Sequence, residues 1–343
     1  MKRRAVLALA VALAASSPLV AVEASGPLVS RTAYVFPFAT RAAWFDFVRG
    51  TPGGADAARD LAATISEAEY ARKVAQTETR FERIVYRSDG LAIRGFLVTP
   101  VSGGKHPVII YNHGGVMQWG RIVLPELLEF QRLAERGYVV LASMYRGEGG
   151  SEGVADMSGG DVADTLALLD VAAQLPEADT GRVGMWGVSR GGLVAYGALA
   201  RTGRIAAAAI VGGPADLLTA PRRAEFDAAV YPTAVRDYAR DKDAALVRIS
   251  ALHWPERLAA TTPILLLHGG DDPRVPPADS LRMAVELQRL KRSYRLKIFE
   301  GGSHALTEHI GEVRAELDRW FDRYVRDALP APRNGVAVLA NTP

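Results

Sequence analysis

The residues with the strongest chemical potential in this 343-residue chain are Gly187-Val188-Ser189-Arg190-Gly191-Gly192, a serine set between glycines. A serine hydroxyl becomes a useful nucleophile only when a base takes its proton and a carboxylate orients that base. The string G-x-S-x-G gains meaning where a strand runs straight into a helix across the serine, because that tight turn holds the hydroxyl out above a sheet. Residues 182–188 read as a strand and 190–202 as a helix, so Ser189 has this context. The helix would also aim free N–H groups and partial positive charge at the hydroxyl. A second copy, Gly149-Gly150-Ser151-Glu152-Gly153, lacks the context: loop residues precede it, and helix signals resume only near Gly160-Asp161. Ser151 is expected in a loop, outside the chemistry.

The acid and the base should follow in the order serine, acid, histidine. His268-Gly269-Gly270-Asp271-Asp272-Pro273-Arg274-Val275-Pro276 follows an aliphatic strand and offers two carboxylates, Asp271 and Asp272. Gly301-Gly302-Ser303-His304 follows the last strand, in a loop from which an imidazole can reach Ser189. Developing charge on a carbonyl oxygen then needs fixed donors. One is the backbone N–H of Arg190; the other is expected in Tyr111-Asn112-His113-Gly114-Gly115-Val116, as a backbone N–H near Gly115 or the side chain of His113. His309 reads as a surface residue. His304 and His309 lack i, i+4 spacing, no H-E-x-x-H occurs and the chain has no cysteine, so no metal site and no cofactor are expected.

These groups need a frame. Candidate strands are 81–87, 91–99, 108–112, 138–145, 182–188, 205–211, 264–268 and 295–299, with helical segments at about 122–136, 160–175, 190–202, 278–291 and 306–327. Strand–helix alternation with aliphatic strand runs predicts an α/β domain over 81–328: a mostly parallel, doubly wound, eight-stranded sheet of the α/β-hydrolase type. Residues 213–262 break the alternation and read as a small helical cap. An N-terminal extension, 25–80, is partly helical around Ala55–Ala75, and the tail 329–343 is expected to be disordered.

Residues 1–24 read as a signal peptide: Lys2-Arg3-Arg4, an apolar run over Ala5–Ala15, then Val22-Glu23-Ala24 as a small-residue cleavage site. The run is well short of the ~20 residues needed to span a bilayer, so export to the periplasm or the exterior is expected, without a membrane span in the mature chain. Hydrophobic residues make up 49% and charged residues 23%, as in a globular protein. The net charge of +3 falls to +1 once the three cations and one anion of residues 1–24 are removed. With no basic cluster interleaved with aromatics, no nucleic-acid partner is expected.

Five motifs in order, His113-Gly114-Gly115, Tyr145-Arg146-Gly147 with Gly149–Gly153, Gly187–Gly192, His268-Gly269-x-x-Asp272-x-x-Val275-Pro276 and Gly302-x-His304, resemble the catalytic domain of the prolyl oligopeptidase family. The resemblance covers about residues 80–328, and the 25–80 segment ahead of it is too short for that family's β-propeller. It implies Ser189 as nucleophile, Asp272 rather than Asp271 as acid and His304 as base. It also favours the His113 side chain as an oxyanion donor, since a Tyr or His often serves there in relatives. The function so implied is a serine hydrolase cleaving an acyl bond of short peptides or small esters through an acyl-enzyme. The alternatives are a carboxylesterase without peptidase activity and a non-catalytic secreted binding protein on the same fold.

Overall fold

The computed structural model describes residues 20–21, 26–51, 54–62, 64–117 and 120–332. The expected signal peptide, apart from Val20–Ala21, and tail residues 333–343 lie outside the described residues.

The first two expected strands form a hairpin, β3 (Thr79–Ser88) and β4 (Leu91–Pro100), turned through Asp89-Gly90, both at positive φ. An Asp-Gly pair in that conformation matches the right-handed twist of the strands it joins. β3 buries side chains on both faces, Phe81 in one core and Ile84 and Tyr86 in the opposite one, with Arg80, Arg83 and Arg87 exposed. The next strands, β5 (His106–Asn112), β6 (Val139–Ser143), β7 (Ala178–Val188), β8 (Ala207–Val211), β9 (Ile264–Gly269) and β10 (Tyr294–Phe299), run parallel to one another. β6, β8 and β9 are buried along their whole length, which explains their unbroken aliphatic sequences.

All eight expected strands are present, and among the described residues the sheet has ten. β2 (Leu28–Ala33) pairs antiparallel with β3, and the two-residue β1 (Val20–Ala21) pairs with β2. The order is β1-β2-β3-β4-β6-β5-β7-β8-β9-β10. The N-terminal segment therefore extends the sheet. Its expected helix is divided: α1 (Arg41–Arg49) precedes α2 (Gly54–Ala62) and α3 (Glu67–Ala75), and the Ser66 hydroxyl caps α3 by accepting the Glu69 N–H at 3.1 Å.

Helices cover both faces of the sheet. Trp44 and Phe45 of α1, Phe130 of α4 (Leu124–Glu135) and Trp320 of α11 (Ile310–Phe321) fill one core with Ile109, Val140 and Leu265. Leu168 of α5 (Gly160–Ala173), Val194 of α6 (Arg190–Leu199) and Met283 of α10 (Pro277–Arg289) fill the other with Ile110, Leu141 and Leu266. Adjacent residues of one strand thus enter opposite cores, as the pleat requires. The 213–262 segment carries α7 (Arg223–Ala229), α8 (Tyr231–Ala234) and α9 (Lys242–Ile249). Its apolar side chains, Tyr231, Tyr238 and Leu246 among them, pack on Leu193 of α6 and on Val116. The loops after β5, β7, β9 and β10 all leave at the carboxyl edge of the parallel strands, where an open α/β sheet places its ligands.

Candidate active site

β7 passes to α6 across a single residue, Ser189, which sits at φ 53, ψ −125. That backbone is strained for a residue with a side chain, and it persists because the flanking contacts leave no alternative. A β-carbon on Gly187 would stand 2.3 Å from Gly191 O, and one on Gly191 would stand 2.0 Å from Asn112 O. Only glycine fits at either position.

Ser189 Oγ lies 2.9 Å from His304 Nε2, and His304 Nδ1 lies 2.7 Å from Asp272 Oδ2. With the imidazole proton on Nδ1, facing the carboxylate, Nε2 accepts from the serine hydroxyl. The Asp272 carboxylate is held from the other side as well. Its Oδ1 accepts the backbone N–H of Arg274 at 2.8 Å and of Val275 at 3.1 Å. His268 Nε2 stands 3.3 Å from Oδ2, while its Nδ1 meets Ser280 Oγ at 2.7 Å. Burial alone would push the Asp272 carboxyl up, but hydrogen bonds from His268, His304 and Arg274 hold it well below the usual carboxylate range. Asp271 is exposed, and its backbone N–H donates to Gly302 O at 3.0 Å, tying the acid loop to the histidine loop.

The loop after β5 abuts the serine: a β-carbon on Gly114 would stand 2.9 Å from Ser189 Cβ. Gly115 follows at φ 72. The backbone of this loop and the N–H of Arg190, first in α6, therefore flank the hydroxyl. The side chain of His113 does not, which corrects the expectation of a donor there. It is 0% exposed, with Nδ1 2.8 Å from Gly114 O, Nε2 3.8 Å from the Glu148 carboxylate and its ring stacked 4.3 Å from Tyr145. A group enclosed on every side cannot reach a substrate oxygen.

Beneath the elbow lies a charged cluster that the sequence reading missed. Arg190 Nη2 donates to Glu148 Oε2 at 2.7 Å and Nη1 to Asp161 Oδ2 at 3.0 Å, while Glu148 Oε1 accepts the Met117 N–H at 2.6 Å. One glutamate thus links the residue after the serine to the loop opposite it. Burial pushes Glu148 up to about 7 and Asp161 up to about 6, against the pull of Arg190. The available signal was an arginine opening an otherwise apolar helix, since a buried guanidinium needs buried acids.

Burial, then the nearby Arg190 charge, lowers His113 to about 3 from an ordinary 6.5. Protonation therefore favours the unfolded chain, and the stability this residue confers above pH 6.5 is lost as the pH falls. The linkage amounts to about 1.4 kcal/mol per pH unit between the two values. His113→Gln lacks this linkage, so the stability gap between wild type and variant should narrow from pH 6 to pH 4 in urea titrations. A constant gap would refute the assignment.

Ser151 sits in a loop anchored on β4: its Oγ accepts the Arg94 N–H at 2.9 Å, and Glu152 Oε2 accepts the Ala92 N–H at 2.7 Å. Ser151→Ala should cost about 1 kcal/mol of stability, one hydrogen bond, and leave turnover unchanged. Thermal melts and ester hydrolysis check both. His309 lies off the serine–histidine–aspartate line, with Nε2 3.3 Å from Glu300 O. Among the described residues, no group of three or more His, Asp and Glu side chains could hold a metal ion.

A serine at a strand–helix elbow on this sheet, in line with a histidine and an aspartate, defines a serine hydrolase of the α/β-hydrolase fold. A sequence model of the prolyl oligopeptidase family matches residues 126–328, and the chain belongs to that family of serine peptidases. Among curated proteins it is similar to the uncharacterized peptidase YtmA of Bacillus subtilis, 31% identical over 140 residues, covering 40% of this chain and 53% of YtmA. It is also 24% identical to the acylamino-acid-releasing enzyme of Sus scrofa, covering 73% of this chain and 35% of the porcine enzyme. The chain thus spans about half the length of the first relative and about a third of the second. Among solved structures, the Pyrococcus horikoshii acylaminoacyl peptidase superposes with a TM-score of 0.64 at 23% identity, over 76% of this chain and 44% of that one. A puromycin-hydrolyzing peptidase of Mycobacterium tuberculosis does so at 0.56 with 26% identity, over 71% and 39%. The described residues of this chain form no propeller-sized second domain.

Proposed function

We propose that the chain hydrolyses an acyl bond of short peptides or small esters through an acyl-enzyme on Ser189. The observation that carries this reading is the line from Ser189 Oγ through His304 to Asp272, with separations of 2.9 and 2.7 Å. As Ser189 Oγ attacks the carbonyl carbon, its proton passes to His304 Nε2, and the Asp272 carboxylate stabilises the imidazolium. Backbone N–H groups of Arg190 and of the loop at Gly115 receive the charge on the carbonyl oxygen. Collapse of the tetrahedral adduct breaks the scissile bond, and the leaving amine or alcohol takes the proton from Nε2. Water, deprotonated by His304, then releases the acid and restores the serine.

The names of its relatives support amide substrates, and activated esters need less help in expelling their leaving group. A panel of p-nitrophenyl esters beside aminoacyl p-nitroanilides tests the reading. Hydrolysis of both, esters faster, is expected. Cleavage of esters alone would overturn the peptidase part and leave a carboxylesterase, and cleavage of neither would overturn the whole.

We place this activity in the periplasm or outside the cell, on the basic, apolar and small-residue order of residues 2–24. A mature protein starting near Ser25 in the exported fraction supports that placement, and an unprocessed cytoplasmic chain contradicts it.

A further inference from the structure

Between the start of α5, the flank of α6 and the cap lies a cavity of about 60 Å3. A water needs only ~10–15 Å3, so the space suits a small molecule. Its lining holds four arginines, Arg190, Arg201, Arg248 and Arg257, against a single carboxylate, Asp161, which Arg190 already engages at 3.0 Å. The three outer arginines are exposed, and the charges of two of them meet mainly carbonyls. Arg201 Nη1 donates to Gly159 O at 3.2 Å and Arg248 Nη2 to Arg236 O at 3.1 Å, with Asp237 at 3.7 Å from Arg248. Arg257 lies over the Trp254 ring, 5.2 Å from its centroid.

The inner wall is buried. Trp254, 8% exposed, and Arg190, 6% exposed, both line the cavity. An acceptor with negative charge answers the arginines of the lining.

We propose that this cavity is a binding site for a small oxyanion, a carboxylate or a phosphoryl group, separate from the Ser189 line. Leu199, the last residue of α6, stands ten residues beyond Ser189, about 15 Å at helical rise, and Arg201 lies just past it at the outer end. The outer end of the cavity is therefore remote from Ser189, whatever that serine's substrate.

The test titrates the full chain with inorganic phosphate and with acetate, at constant ionic strength against chloride, by calorimetry and thermal shift. Saturable binding of one of them is expected, weakened by about tenfold or more in Arg201→Gln/Arg257→Gln, whose ester hydrolysis stays at the wild-type rate. Preference for phosphate assigns a phosphoryl ligand, and preference for acetate a carboxylate. Equal responses to chloride, or undiminished binding by the double variant, would overturn the proposal.

Discussion

Ser189→Ala should lower kcat against an activated ester by about 10⁵–10⁶-fold, because serine, histidine and aspartate act as a unit whose loss is not made good by its remaining members. The variant should fold. Its backbone strain is imposed by the contacts of Gly187 and Gly191, which the substitution does not touch, and the side chain loses one hydrogen bond to His304. Steady-state kinetics with a melting curve on the same preparation separate lost chemistry from lost structure. A folded variant that retained a tenth of the wild-type rate would show that another residue attacks the carbonyl.

Asp272→Asn should cost about 10⁴ in kcat while leaving the loop in place. The two oxygens of this carboxylate do different work. Oδ1 accepts the Arg274 and Val275 N–H groups, which the amide oxygen of asparagine can accept equally well. Oδ2 faces His304 Nδ1 at 2.7 Å and His268 Nε2 at 3.3 Å. An amide NH₂ there turns the imidazole of His304 to the tautomer with its proton on Nε2, which cannot accept from Ser189. The neighbouring Asp271→Asn changes an exposed side chain and should leave the rate within about twofold. Equal losses at the two positions would undo the assignment of the acid.

Much of this site could be read along the chain because its parts are local. The elbow needs only a strand, five residues and a helix, and the acid and histidine loops each follow a strand recognisable by its aliphatic run. The orientation of His113 could not be read in that way. It is decided by Glu148 and Tyr145, 35 and 32 residues further on, which meet the imidazole only once β5 and β6 pair. The same holds for Arg190, whose backbone amide was anticipated and whose guanidinium was not. At the amino end, β2 reads Leu28-Val29-Ser30-Arg31-Thr32-Ala33, too short and too polar to declare itself. It becomes a strand because β3, some fifty residues later, offers it an unpaired edge. Ser66 divided the expected helix by supplying a cap where amphipathic periodicity alone would have run through.

The central claim is that Ser189 is the group that takes the acyl substituent. Labelling the full chain with a fluorophosphonate and locating the adduct by peptide mass spectrometry tests it most directly. One equivalent of label on Ser189 is predicted, absent in Ser189→Ala and strongly slowed in His304→Ala. Label on Ser151 or any other serine, or a folded protein that takes up none, would contradict it.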